Sequence, residues 1–170
     1  MKYSRAWLQE HLEGTLPSNE ELIQEVTLKA FEVEETLGFG EESVFEIKVL
    51  PDRAHDALSH RGMARELGAL FSLSRKAREV REISPDVSVP APLVLIENGK
   101  ECLRYIAVRA ENVPTLPSPQ WLRKKLESIG ARSINTLVDI TNFVLFDIGQ
   151  PMHAFDASKV KGTLSIRRSR

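Results

Sequence analysis

Cysteine is almost missing from this chain. Cys102 stands alone among 170 residues, which excludes an internal disulfide and any zinc site built on paired cysteines. The four histidines, His11, His55, His60 and His153, show neither HExxH nor another metal-ligand spacing. No apolar run approaches the roughly 18 residues of a membrane span. The opening Met1-Lys2-Tyr3-Ser4-Arg5 turns polar again at Gln9-Glu10, so no signal peptide is read there. An excess of one charge is lacking too. Lys+Arg total 23 and Asp+Glu 24, a net charge of −1, so contact with nucleic acid has to come from a local patch. Neither a dinucleotide-type nor a Walker-type glycine loop is present. What is present, 28% charged and 42% hydrophobic residues, predicts a soluble, cytoplasmic chain with enough apolar material for a core.

The patterning predicts an α+β fold in two parts. A small helical/β N-terminal domain is expected over 1–75, a linker over 76–92 and a partial α+β domain over 93–170. Tyr3, Trp7, Leu8 and Leu12 share one side of a short helix closed by Gly14. Ser18 and Glu21 form a capping box ahead of Leu22, Ile23 and Val26. Phe31 and Val33, then Phe45, Ile47 and Val49, switch to period two around the turn Gly38-Phe39-Gly40, which predicts two strands. Met63, Leu67, Leu70 and Phe71 stripe a helix after Ser59. Arg75, Lys76, Arg78 and Arg81, followed by Pro85, Pro90 and Pro92, mark the linker. Beyond it, Leu93–Ile96 reads as a strand, Asn98-Gly99 as a hairpin turn, and 103–108 as the partner strand holding Cys102 at its start. Ser118-Pro119 opens a helix through Trp121, Leu122, Leu126 and Ile129 to Gly130. A further helix runs from about Asn135 to Phe146 and stops at Gly149. Leu164 and Ile166 alternate in a last strand, after which the second part looks cut short.

The densest polar constellation lies at 130–156 and includes Arg132, Ser133, Asn135, Asp139, Thr141, Asn142, Gln150, His153 and Asp156. Such groups are costly to bury unpaired. The turn Gly149-Gln150-Pro151 can bring His153 back beside Thr141 and Asn142, where a hydroxyl, an amide and an imidazole would form a small-molecule or hydrolytic site. The bland alternative is that Thr141 and Asn142 close a helix end and His153 is structural. Weaker signals are the charged loop Asp52–Asp56, which equally fits a turn before a helix, and the pair Arg61 and Arg65, which fits either phosphate contact or a solvated helix face. Cys102 lacks a basic activator and reads as structural. Lys159, Lys161, Arg167, Arg168 and Arg170 form a basic end that could face RNA phosphates.

The segment Gly130-Ala131-Arg132-Ser133-Ile134-Asn135-Thr136-Leu137-Val138-Asp139-Ile140-Thr141-Asn142-Phe143-Val144, followed by Gly149-Gln150-Pro151-Met152-His153-Ala154-Phe155-Asp156, closely resembles the signature of bacterial phenylalanyl-tRNA synthetase beta subunits. Tyr3-Ser4 with Trp7-Leu8, Phe31-Glu32-Val33-Glu34, Phe45-Glu46-Ile47 through Pro51-Asp52-Arg53, and Leu58 through Leu67 resemble the same family. Two departures stand out. About ten residues join the segment around Val33 to the strand at Phe45, where the family usually inserts an OB-fold tRNA-binding domain; that domain is absent. The family's subunit is also several times longer, so this chain looks like an N-terminal piece whose editing-type domain is partial.

The resemblance implies a class II ligase that joins phenylalanine to tRNA using ATP and magnesium, with the aminoacylation site on an alpha subunit. It implies that the beta subunit's editing domain hydrolyses tRNA mischarged with tyrosine, a second sieve for an amino acid differing by one hydroxyl. Within that pocket it assigns Arg132 to the tRNA end or ester, Thr141 and Asn142 to the amino acid, and His153 to positioning water or substrate. Implied partners are the alpha subunit, the rest of the beta subunit and tRNA; no cofactor or metal site falls in this segment. Alternatives from other classes are a non-catalytic docking or scaffold module and a small RNA-binding protein.

Overall fold

Tyr3 begins the fold in a strand rather than in the first helix. In the computed structural model, which describes every residue except Arg81, Pro85, Val87 and Arg170, β1 (Lys2–Ser4) pairs antiparallel with β3 (Val44–Lys48) in the register Tyr3↔Phe45. The linker positions Arg81 and Pro85 and the terminal arginine of the basic end therefore lie outside the described residues. The Ser4 hydroxyl accepts from the Trp7 N–H and starts α1 (Arg5–Glu10) one residue later, which is why the apolar spacing at Tyr3 and Trp7 spans a strand and a helix. The Ser18 and Ser59 hydroxyls cap α2 (Asn19–Lys29) and α4 (His60–Phe71), accepting from Glu21 and Gly62. Between them, β2 (Glu32–Leu37) pairs antiparallel with β3, giving a three-stranded sheet of order β1-β3-β2 with an irregularity between Val33 and Glu35. α3 (Ala54–Ala57) turns the chain into α4. That corner is tight: a Cβ on Gly62 would lie 1.9 Å from the Asp56 carbonyl oxygen, so only glycine fits.

Helices α1, α2 and α4, with Leu12 just past α1, cover the sheet with Leu8, Leu12, Leu22, Val26, Met63 and Leu67, all fully buried against Phe45 and Ile47. Each such side chain contributes about 1.5–3 kcal/mol of burial. Tyr3 is buried as well and donates to the Ala57 carbonyl at 2.8 Å; burial pushes its phenol pKa far up. The core expected of three helices and a small sheet is thus present.

The division into parts differs from the expected 1–75, 76–92 and 93–170. One compact unit comprises Met1–Arg78 together with Thr115–His153, and the other comprises Glu79–Pro114 together with Ala154–Arg170. Helices α5 (Gln120–Ser128) and α6 (Thr136–Ile148) belong to the first unit because their apolar and polar side chains find partners there. Phe143 of α6 stacks on Trp7 at 5.3 Å, with Trp121 of α5 edge-on to it at 5.5 Å.

In the second unit, β4 (Val94–Ile96) pairs with β5 (Leu164–Ile166), and the pairing is parallel, in the register Val94↔Leu164. The expected hairpin at Asn98-Gly99 does not form. The Asn98 side chain instead accepts from the Lys100 N–H at 3.0 Å, and its carbonyl accepts from Glu101 and Cys102, which turns the chain away from β4. Residues 103–108 form no strand, and Leu103, Ile106 and Val108 are exposed. Cys102 is therefore not a strand residue; it is half-buried, with its thiol directed at the Arg104 carbonyl.

Described residues 76–93 hold no helix or strand, but the first part of this stretch is tethered. Arg75 forms a bridge with Leu12, Lys76 N–H donates to the His11 carbonyl at 2.9 Å, and Glu13 N–H to that of Ser74 at 2.8 Å. Limited trypsin treatment should spare the bonds after Arg75 and Lys76 and cut first at Arg78 or beyond. Mass spectrometry of the earliest fragments reads this directly, and initial cleavage after Arg75 or Lys76 would contradict it.

Candidate functional site

Helix α6 organises the polar segment 130–156. Asn135 caps it, its side chain accepting from the Val138 N–H at 3.0 Å, and Gly149 ends it in a left-handed conformation at φ 79°. One turn inside, the fully buried Asp139 gathers the loop before the helix: it accepts from the Ser118 and Ser133 hydroxyls and from the Ile134 N–H at 2.9 Å. Burial pushes the Asp139 pKa up, but these three hydrogen bonds and the charge of Arg123 outweigh it and hold the carboxyl below the usual range. Two turns on, Asp147 is a second buried hub. It accepts from Trp7 Nε1 at 2.8 Å, meets His11 Nε2 at 2.9 Å and pairs with Arg78 Nη1 at 3.2 Å. Here too burial raises the pKa and is outweighed, by hydrogen bonds from His11 and Trp7 and by the charges of His11 and Arg78.

His60 completes this arrangement. It stacks on Trp7 at 3.9 Å and 14°, its Nε2 accepts from the Ser4 N–H at 3.1 Å, and its Nδ1 lies 2.9 Å from the Phe146 carbonyl. A carbonyl only accepts, so Nδ1 carries the proton and the ring is neutral. Burial is the main reason its pKa falls to about 4. Trp7, His11, His60 and Asp147 escaped the sequence reading as a group, since they lie far apart in the chain.

Of the four residues predicted for a pocket, Thr141 and Asn142 are half-buried on α6, and the Thr141 hydroxyl donates to the Val138 carbonyl of its own helix at 2.7 Å. Arg132 is exposed in the loop that Asp139 holds, and His153 is exposed four residues past Gly149. Two clefts open on this unit, one of about 490 Å³ and one of about 700 Å³, and none of the four lines either. Ser133, Asn135 and Asp139 shape the loop and the helix start, and the Gln150 amide donates to the Pro151 carbonyl at 3.3 Å. Asp156 accepts from the Ser158 hydroxyl and N–H in the second unit.

The weaker candidates resolve differently. Asp56, in the charged loop 52–56, is held by Arg53 at 3.0 Å and Arg65 at 2.6 Å, and Arg53 also reaches Glu66 at 2.8 Å. Hydrogen bonding from Arg53 holds the Asp56 carboxyl below its ordinary range. This is the turn ahead of a helix, locked by ion pairs. Arg65 is thereby engaged, while Arg61 has no ion pair among the described residues. In the basic end, Arg168 pairs with Glu101 and Lys159 with Asp156.

Comparison with known proteins bears on the same segment. Residues 101–170 match the model of the B3/4 domain. Over 163 residues, 96% of this chain, it is 38% identical to the phenylalanine–tRNA ligase beta subunit of Aquifex aeolicus. It is 40% identical over 131 residues to that of Chromobacterium violaceum and 45% identical over 129 residues to that of Chlorobium luteolum. Over most of its length the chain is similar to phenylalanine–tRNA ligase beta subunits. It spans between 15% and 20% of the length of these three relatives. Because the Aquifex alignment omits only 4% of the chain, positions 132–153 of the candidate pocket lie inside the shared region. The B3/4 match begins in the second compact unit, passes through α5 and α6 in the first and returns to the second.

Proposed function

We propose that this chain serves as the N-terminal part of a phenylalanine–tRNA ligase beta subunit and contributes one wall of its editing pocket. The observation that carries the reading is the similarity to a beta subunit along 96% of the chain, including the whole of 130–156. In this reading the holoenzyme, formed with an alpha subunit in the cytoplasm, attaches phenylalanine to its tRNA with ATP and magnesium at a site on the alpha subunit. Among the described residues no three His, Cys, Asp or Glu side chains come together as a metal-binding group, so no step is assigned to magnesium in this chain.

The chemistry left to this chain is hydrolysis of a mischarged ester. The Asp139 hub fixes the 130–135 loop and so the backbone that presents Arg132, whose guanidinium suits a tRNA phosphate. Asn142, half-buried on α6, offers an amide to the amino-acid portion. His153 orients the attacking water or accepts its proton. Amino-acid activation by itself is not expected of a chain without a nucleotide-phosphate loop. Incubating the pure 170-residue chain with ATP, phenylalanine and tRNA should give no charged product above background, and robust charging would contradict the assignment.

A further inference from the structure

We propose that the two clefts of the Met1–Arg78/Thr115–His153 unit form a phosphate-binding surface for an RNA backbone, contacted by Arg61, Arg75 and Lys76. This deepens the reading above, on which it rests for the identity of the polyanion, by giving tRNA a contact away from 130–156.

The chain as a whole carries a net charge of −1, yet these clefts concentrate cations. Arg61, Arg65 and Arg75 line the smaller cleft, and Arg61, Arg75, Lys76 and Arg78 line the larger. Three acids face the same space, and each is already occupied. Asp56 is held by Arg53 and Arg65, Asp147 by Trp7, His11 and Arg78, and Glu10 by Lys125. After these pairings Arg61, Arg75 and Lys76 remain, with no side-chain ion pair or hydrogen bond among the described residues.

Their backbones are fixed although their heads are free. Arg61 sits in the first turn of α4, which Ser59 caps; that turn has no acidic residue, so the positive end of the helix dipole adds to the field. Arg75 and Lys76 are tied to α1's end through the Leu12 bridge and the His11 carbonyl. Binding an anion there orders side chains only. Arg61 and Arg75 line both clefts, which makes one extended basic track rather than a pocket for a single ion. Arginine forks meet phosphate oxygens two at a time, and a nucleic-acid backbone repeats that charge along a track. An acidic protein segment is the competing occupant; the tRNA substrate in the names of the relatives favours RNA.

The test is fluorescence anisotropy of the 170-residue chain with a labelled tRNA transcript, titrated from low to moderate salt. The Arg61→Gln/Arg75→Gln/Lys76→Gln variant should bind about tenfold or more weaker at low salt. Its plot of log K against log salt should be shallower by about 2–3, from three lost phosphate contacts at roughly 0.7–0.9 each. Its melting temperature should match wild type, since the three side chains make no bonds, so weaker binding is not unfolding. Inorganic phosphate at matched ionic strength should displace no more RNA than chloride does. Unchanged affinity and slope in the variant would overturn the proposal. So would transfer of the whole effect to Arg167→Gln/Arg168→Gln, displacement by millimolar phosphate alone, or tight binding of polyglutamate without binding of RNA. The assay reads no chemistry, so a failure of the editing assignment would leave its result intact.

Discussion

Replacing His60 by alanine should destabilise the first compact unit by on the order of 3–5 kcal/mol. Three losses combine. The imidazole fills a fully buried site between Tyr3 and Trp7, so truncation leaves a cavity. The Ser4 N–H loses its acceptor and the Phe146 carbonyl loses its donor, and each buried orphan costs about 1–3 kcal/mol. The Phe146 contact also ties α6 to α4, so the change should loosen the helix that carries the candidate pocket. The same residue gives wild type a pH dependence. The native ring protonates only near about 4, against 6.5 ordinarily, so between those values the unfolded state binds the extra proton. Stability is therefore complete above 6.5 and falls as pH drops towards 4, by about 3 kcal/mol for this shift at 1.36 kcal/mol per unit. Asp139 and Asp147, both held below the ordinary carboxylate value of 3.8, add their losses at lower pH. Urea denaturation followed by tryptophan fluorescence at pH 7 and pH 5 measures both effects. A loss under 1 kcal/mol in His60→Ala, or a pH slope unchanged by it, would show that the ring is not the link described.

Local chemistry was legible in the sequence, and long-range pairing was not. The cap at Ser18, the helix start after Ser59 and the stop at Gly149 depend on neighbours within four residues, and each appears where the pattern places it. The Asp147 hub depends on Trp7, 140 positions away, and no periodicity encodes that. Asn98-Gly99 carries a strong hairpin signal, but a hairpin needs a partner strand after it, and residues 103–108 form none. The Asn98 side chain builds its own turn, and β4 finds β5 some 70 positions later, across the intervening helices. Helices α5 and α6 were read correctly as helices but placed with the wrong neighbours. Their amphipathic stripes say that they pack, and long-range contacts such as the Trp7–Phe143 stack and the His60–Phe146 hydrogen bond say against what. In the candidate site, the polar density at 130–156 was visible, but its division into structural groups around Asp139 and ligand-facing groups was not.

Hydrolysis of tyrosyl-tRNA tests the proposed editing wall of Arg132, Asn142 and His153 most directly. The measurement belongs in a complete beta subunit of this sequence assembled with its alpha subunit, comparing wild type with His153→Ala. Loss of one group that orients or deprotonates water costs about 10²–10⁴-fold in rate. His153 is exposed beyond the Gly149 stop, far from the aminoacylation site that the proposal puts on another subunit, so phenylalanine charging should be preserved in the variant. Asn142→Ala should slow the same hydrolysis while leaving charging intact. The account predicts tyrosyl-tRNA deacylation slowed by about a hundredfold or more in His153→Ala with charging preserved; deacylation at the wild-type rate in both variants would contradict it.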